Sequence, residues 1–199
     1  MNFTRRWKPF WRWEAFLFAM VLVLAIGANF VSRADWPVVG PILGIALLVL
    51  AVVIAVLLIL PLFLRNGRDS ENTRKSLEGV ELVEIEPTKT LRVVETERRQ
   101  NAIDAARAKS HGPVTAVLTP DASRWLGREL RVAVDLIGDD GQIYRAGFVP
   151  RDVDLDLGAE LRPLAARRAA VVVPVTIGGA SRPFTVDFGL GPVPAVDPA

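Results

Sequence analysis

Three aspartates at alternate positions, Asp152, Asp154 and Asp156, form the densest set of metal-type ligands in the chain. Such oxygen-rich spacing invites a calcium reading, but Arg151, Val153, Leu155 and Leu157 do not fit an EF-hand loop, and no Glu follows at its spacing. An acidic strand edge or a helix cap accounts for them instead. Asp139-Asp140-Gly141 is a turn sequence. His111 is the only histidine, and one imidazole cannot form half of a metal pair. The lack of cysteine excludes disulfides, thiolate metal sites and cysteine nucleophiles. P-loop, nucleophile-elbow and zincin spacings are missing too. No residue set calls for a metal, a cofactor or an enzyme. Arg98, Arg99, Arg124 and Trp125 are cationic and aromatic side chains of the part beyond the apolar runs. Trp125 by itself reads as a core or rim hydrophobe.

The elements that must position these residues divide into two parts of opposite character. From Ala15 to Leu64 the only charges are Arg33 and Asp35, whereas beyond Leu64 the chain is an ordinary mixed sequence. The overall charge of +2 conceals this division. Residues 1–79 carry nine Lys+Arg and five Asp+Glu, a net of +4, and residues 80–199 carry fifteen and seventeen, a net of −2. A basic nucleic-acid footprint therefore does not extend over the part that holds Arg98, Arg99, Arg124 and Trp125.

Ala15–Val31 is a charge-free run of about 26 Å as a helix, at the short end of what crosses a hydrocarbon core of about 30 Å. Trp7, Trp11 and Trp13, interleaved with Arg5, Arg6, Lys8 and Arg12, supply an interfacial flank of amphipathic indoles and snorkelling cations. A second apolar run covers Val38–Leu64, with Gly40 and Pro41 assigned to its approach and Ile42–Leu64 to a tilted span. Both runs lack the polar stripe of a soluble helix. The connector Ser32–Pro37 is hairpin-sized. Cations flank both outer ends, so the positive-inside rule puts both termini in the cytoplasm of an inner-membrane protein. A cleavable signal peptide over residues 1–34, with Ser32 and Ala34 at cleavage spacing, is the alternative for the first run, although its length and Phe30 favour a span. Gly40 and Gly44 form a small-xxx-small pair that would permit close helix packing. Neither run holds an ionisable residue, which argues against an ion pathway.

The organisation that follows is an anchor over 1–64 with spans at about 15–31 and 40–64, and a polar tether over 65–79. A β-rich domain over 80–189 and a disordered tail over 190–199 complete it. Within the domain, Val80–Glu86 alternates as a half-buried strand that Pro87 ends, and Leu91–Val94 is a second strand or its continuation after a bend. Glu97–Lys109 reads as a helix capped by Thr96. Strands follow at Val114–Leu118, Leu130–Ile137 and Ile143–Val149, the last two a hairpin. Gly158–Arg168 is a second helix. Val171–Ile177, interrupted by Pro174, is an edge or bulged strand, and Phe184–Phe188 is the last. The fold class is an α-helical transmembrane hairpin plus a small α+β, mostly β and barrel-like, cytoplasmic domain.

The order of these segments resembles the HIRAN domain, a small β-barrel-like module found alone in bacteria and attached to DNA helicases of the SWI/SNF class. Gly147-Phe148-Val149-Pro150-Arg151-Asp152 is similar to that family's G-Y-L-P-R-E/D signature, whose role is mainly structural. Ala116–Asp121 is similar to its A-V-L-V-P-E segment, and Val93-Val94-Glu95 through Ile103 to V-V-G-E…Y-Q-x-A-L. Leu161–Leu164 and Val171–Val175 fall in the expected order. The resemblance covers roughly 93–179. It implies a non-enzymatic binding module for the 3′ end of single-stranded nucleic acid. The family's N-P-Y-D loop is replaced here by Ser123-Arg124-Trp125-Leu126, and its first-strand tyrosine by Arg98 or Arg99. A base-stacking face survives in Trp125, with Arg98, Arg99 and Arg124 for phosphates, but the acceptor that caps a terminal hydroxyl does not.

The expected partners are thus the lipid bilayer and either a single-stranded nucleic acid or, if that ligand is no longer bound, a protein recruited to the membrane. The topology has a direct check: reporter fusions placed after Ala199 and in the 32–37 connector should report opposite sides of the membrane. Signals from the same side would overturn the hairpin arrangement.

Overall fold

The computed structural model describes residues 6–9, 13–33, 36, 39–64, 76–124 and 127–194. They form two compact units, one helical (from 7 through 64, with 127–128) and one mostly sheet (Arg6, 76–124 and 129–194).

In the helical unit, α1 (Glu14–Arg33) and α2 (Val39–Leu64) pack against one another. At 1.5 Å per residue they are about 30 and 39 Å long. Both are long and apolar enough to cross a membrane. Phe18, Leu22 and Phe30 on α1, and Ile42, Ile45 and Leu48 on α2, are exposed, a surface that water would penalise and a hydrocarbon phase would not. Glu14 in the first turn of α1 and Arg33 in the last complement the helix dipole. Gly40 and Pro41 lie inside α2 rather than before it, because a first-turn N–H has no intrahelical partner for proline to remove. The close approach of the helices is at Gly27, where a Cβ would stand 3.7 Å from Leu47 Cδ1, whereas Gly44 has nothing within 4 Å. Ahead of α1, Lys8 Nζ pairs with Glu14 at 3.1 Å. The Arg128 guanidinium stands 4.8 Å from the Trp13 ring and 5.9 Å from that of Trp7, so cation–π contact holds both indoles. Trp11 lies outside the described residues, as do 65–75 of the tether.

The sheet unit contains β1 (Glu81–Glu84), β2 (Lys89–Arg92), a 3-10 turn (Thr96–Arg99), α3 (Gln100–Ala108), β3 (Val114–Ala122), β4 (Arg131–Ile137), β5 (Ile143–Phe148), α4 (Arg151–Ala166), β6 (Ala169–Gly178) and β7 (Thr185–Leu190). The strand order is β2-β7-β6-β3-β4-β5, with β1 parallel to the first half of β6. The chain leaving β2 joins the two ends. Val93 donates its N–H to Val186 on β7, and Val94 exchanges two backbone hydrogen bonds with Phe148 on β5 at 2.9 and 3.0 Å. Successive residues of a strand bond to opposite sides, so this one segment curls the sheet into a half-barrel.

Gly147 makes the junction sterically feasible: a Cβ there would collide with the Val94 carbonyl oxygen. The interior is filled by alternate residues of the strands, among them Leu118, Val132, Val134, Leu136, Val173 and Phe188. Ile103 of α3 and Leu157, Leu161 and Leu164 of α4 complete it. Each such side chain contributes about 1.5–3 kcal/mol by leaving water. A Gln100 clamp ties α3 to the β6–β7 connection, its amide oxygen accepting from Phe184 N at 2.6 Å and its Nε2 donating to Phe184 O at 3.1 Å.

Several elements depart from the expectations of the sequence. The helix expected over Glu97–Lys109 with Thr96 as N-cap begins only at Gln100. Thr96 instead opens the 3-10 turn, and no side-chain oxygen caps α3. The second helix starts at Arg151, not Gly158. Its first turn carries Asp152 and Asp154, which suit the positive helix end, while buried Asp154, Leu157, Gly158, Leu161 and Leu164 share one face. β3 continues past Leu118 through a bulge at Pro120-Asp121, with Asp121 at φ 55°. β6 is a central strand rather than an edge. Pro174 is tolerated because β1 pairs with Ala169–Val172 and β7 with Val175–Gly178, which leaves the proline in the gap between them. Leu190, expected in the tail, ends β7 in register with Lys89 and is buried. Residues 195–199 lie outside the described residues.

Gly147→Ala should cost about 1–3 kcal/mol in denaturant unfolding of the detergent-solubilised chain, since backbone must move to admit the methyl. Gly112→Ala, with nothing within 4 Å, should lie within about 0.5 kcal/mol of the parent. Equal effects at the two positions would remove the junction from its structural role.

Candidate functional site

Strand β4 sends Val132, Val134 and Leu136 into the barrel and Arg131, Ala133 and Asp135 to the other face. The hairpin turn at Asp139–Gly141 sets the register that puts Asp135 opposite Arg145. These two form a bidentate pair, Nε to Oδ1 at 2.8 Å and Nη2 to Oδ2 at 3.2 Å, and Thr119 on β3 donates its hydroxyl to Oδ2 at 2.8 Å. All three are buried. Phe148 packs with Ala122 and Ala133 beside them, with the guanidinium of Arg131 5.0 Å from its ring and that of Arg145 5.9 Å away. A charged pair this well bonded holds three strands in one register.

Arg131 is bound less completely. Its Nη1 donates to Glu95 Oε1 at 2.8 Å and its Nη2 to the Val149 carbonyl at 2.6 Å, while Nε stands 3.8 Å from Asp154 Oδ2. Glu95 in turn forms an ion pair with Arg124, Oε2 to Nε at 3.2 Å. Burial pushes the Asp154 carboxyl above the ordinary carboxylate range, against the Val132 N–H that its Oδ1 accepts at 2.7 Å and the nearby Arg131 charge. Glu95 has φ 67°, the left-handed region that glycine favours.

Of the residues expected to bind a ligand, Arg124 pairs with Glu95, the residue that precedes the arginine-bearing turn. Arg98 is exposed and Arg99 half-buried in the 3-10 turn that begins at Thr96. Trp125 lies outside the described residues. In the signature segment, Gly147 and Phe148 form the junction with Val94, and Pro150 precedes the first turn of α4. Arg151 pairs with Glu129 at 3.0 Å, and Asp152 is exposed in that first turn. Gly147 and Phe148 thus take part in the sheet through the Val94 junction, while Arg151 and Asp152 are exposed. Asp139 binds the backbone N–H and the ring of His111 at 2.8 and 3.0 Å, which holds its carboxyl below the usual range. Lys109 does the same for Asp140 at 2.7 Å. Among the described residues no group of three or more His, Cys, Asp or Glu gathers as metal ligands.

Three features of the site lie beyond the motifs of the sequence. Arg131 belongs to none of them, although Arg131 and Asp135, four apart on an alternating strand, signal charge on its non-core face, and the segment that holds Glu95 gives no sign of the arginines it pairs with. The Asp135–Arg145 pair is legible only through the turn that fixes the hairpin register. The third is a groove of about 510 Å³ between α4 and the ends of β2 and β7, with Val153, Leu157, Leu190 and Pro192 as apolar lining and Lys89, Asp156 and Glu160 as charged groups. No residue pattern within a single element announces it. Comparison with protein-family models, with curated proteins and with solved structures finds nothing that matches this chain.

Truncating one member of the buried pair leaves the other charged and unpaired. Asp135→Ala should therefore cost about 3–5 kcal/mol, whereas the double change Asp135→Leu with Arg145→Met should cost less than that single truncation. Denaturant unfolding of the two variants checks the order, and the reverse order would contradict the charge-burial argument.

Proposed function

We propose that the chain is a membrane-anchored binding module, non-enzymatic and HIRAN-like, whose sheet unit faces the cytoplasm and receives the end of a single-stranded nucleic acid. In this reading α1 and α2 are the membrane spans, and both termini lie on the cytoplasmic side. The observation that supports it most is the gathering of arginines about Glu95. Arg124 and Arg131 pair with its two oxygens, and Arg98 and Arg99 occupy the turn that begins at the next residue. Guanidinium groups clustered at a segment junction suit the oxygens of a phosphate chain better than a lone cation does. The net −2 of residues 80–199 removes long-range attraction to duplex backbone, so binding relies on this local cluster.

A second reading is favoured by the groove beside α4. Its apolar lining, with Asp156 and Glu160 outnumbering Lys89 among the charged groups, suits a segment of a protein partner with net positive charge, and the chain is then a membrane scaffold.

The two are separated by titrating the detergent-solubilised chain with single strands whose 3′ ends are free or blocked, at two salt concentrations. The nucleic-acid reading expects tighter binding to the free end. It also expects the salt slope of an Arg98→Ala, Arg99→Ala variant to fall by about 0.7 for each phosphate that these arginines neutralise. No binding to either strand would overturn it and leave the scaffold reading.

A further inference from the structure

We infer that Glu95 is a built-in occupant of the phosphate site, a carboxylate that holds Arg124 and Arg131 until a phosphate group of the ligand displaces it; this rests on the nucleic-acid reading above. Its two oxygens engage two guanidinium groups from separate segments, Oε1 with Arg131 at 2.8 Å and Oε2 with Arg124 at 3.2 Å. Oxyanions and paired arginines adopt this arrangement generally, and a phosphate presents the same charge with more acceptors. The cluster is graded in depth. The Arg131 side chain is 4% exposed, Glu95 24% and Arg124 42%, so the Glu95 side chain lies between a deep cation and an outer one and is partly open to solvent.

The fit of the carboxylate is incomplete. Arg131 Nε has no hydrogen-bond partner, and Glu95 Oε2 meets Arg124 as an ion pair without hydrogen-bond geometry, although both atoms are shut off from solvent. The buried Glu95 Oε2 without a hydrogen-bond donor leaves the carboxylate held below its full bonding capacity, which lowers the cost of exchanging it for a phosphate. Glu95 also sits at φ 67°, ψ 26°, a conformation disfavoured for a residue with a Cβ, so the backbone at this point does not resist rearrangement as a relaxed strand would. Arg131 keeps its place when Glu95 leaves, because the Val149 carbonyl at 2.6 Å and Asp154 at 3.8 Å remain. Glu95 immediately precedes the turn that carries Arg98 and Arg99. Release of the carboxylate therefore frees the outer arginine, Arg124, for the ligand. The device sets a threshold: only a ligand with enough phosphate charge to outcompete an internal acid engages the deep arginine.

The test compares wild type with Glu95→Gln in the full detergent-solubilised chain, using a thymidine single strand of roughly ten nucleotides and inorganic phosphate as competitor. Glu95→Gln keeps the side-chain shape and removes the charge. Its affinity for the strand should rise by about tenfold, the scale of one charge-assisted hydrogen bond. Addition of Arg124→Ala should abolish the gain, and phosphate should compete more effectively with strand binding to the variant than to wild type. Should Glu95→Gln unfold without cooperativity, Glu95→Gly carries the same test, since glycine adopts φ 67° freely. Measurable wild-type binding that Glu95→Gln leaves unchanged or weakens would overturn the role of Glu95 and leave the nucleic-acid reading standing. Failure of wild type and variant alike would overturn both.

Discussion

Two backbone hydrogen bonds between Val94 and Phe148 are the constraint on which the sheet unit depends. They turn an open six-strand path into a half-barrel, and they place Glu95, the next residue, against Arg131 and Arg124. The junction tolerates no side chain at Gly147. It also brings Val149 within reach of Arg131, whose Nη2 binds the Val149 carbonyl. Barrel closure and assembly of the arginine cluster are thus one structural event. A sheet closed this way leaves fewer unpaired edge groups open to wrong pairing.

The two charged clusters on the outer face of β4 are built to different standards. Asp135, Arg145 and Thr119 satisfy one another almost completely, and such a network specifies register because any slip leaves a buried charge alone. Arg131 and Glu95 are close by in the same unit but retain atoms without hydrogen-bond partners and a left-handed backbone. Full satisfaction marks the first cluster, and unpaired polar atoms the second. Phe148 serves both, with an arginine of each cluster near its ring.

What can be read along the chain follows from how far the relevant physics extends. The two apolar helices are visible because apolarity on every face over some twenty residues is a local property. The hairpin β4–β5 is visible because alternation and a turn suffice to define it. The start of α4 is not: Asp152, Asp154 and Asp156 alternate like a strand edge, and only the packing of Leu157, Leu161 and Leu164 in the barrel shows their helical periodicity. Pro174 misleads for a similar reason, since its missing N–H matters only if a partner strand needs it, and here two partners stop short of it. Leu190 lies in a Pro- and Gly-rich stretch, yet pairing with Lys89 makes it part of β7.

The sequence alone determined the division into an apolar helical part and a mixed, slightly anionic β-rich part, and the approximate strand positions. Local composition and periodicity encode both. Only the tertiary structure decided which charges meet. Glu95, Arg124 and Arg131 come from three separate segments, and their pairing depends on a ring of strands whose register is set by contacts distant in sequence. A charge's role depends on its partner and its burial, and both are properties of the folded chain.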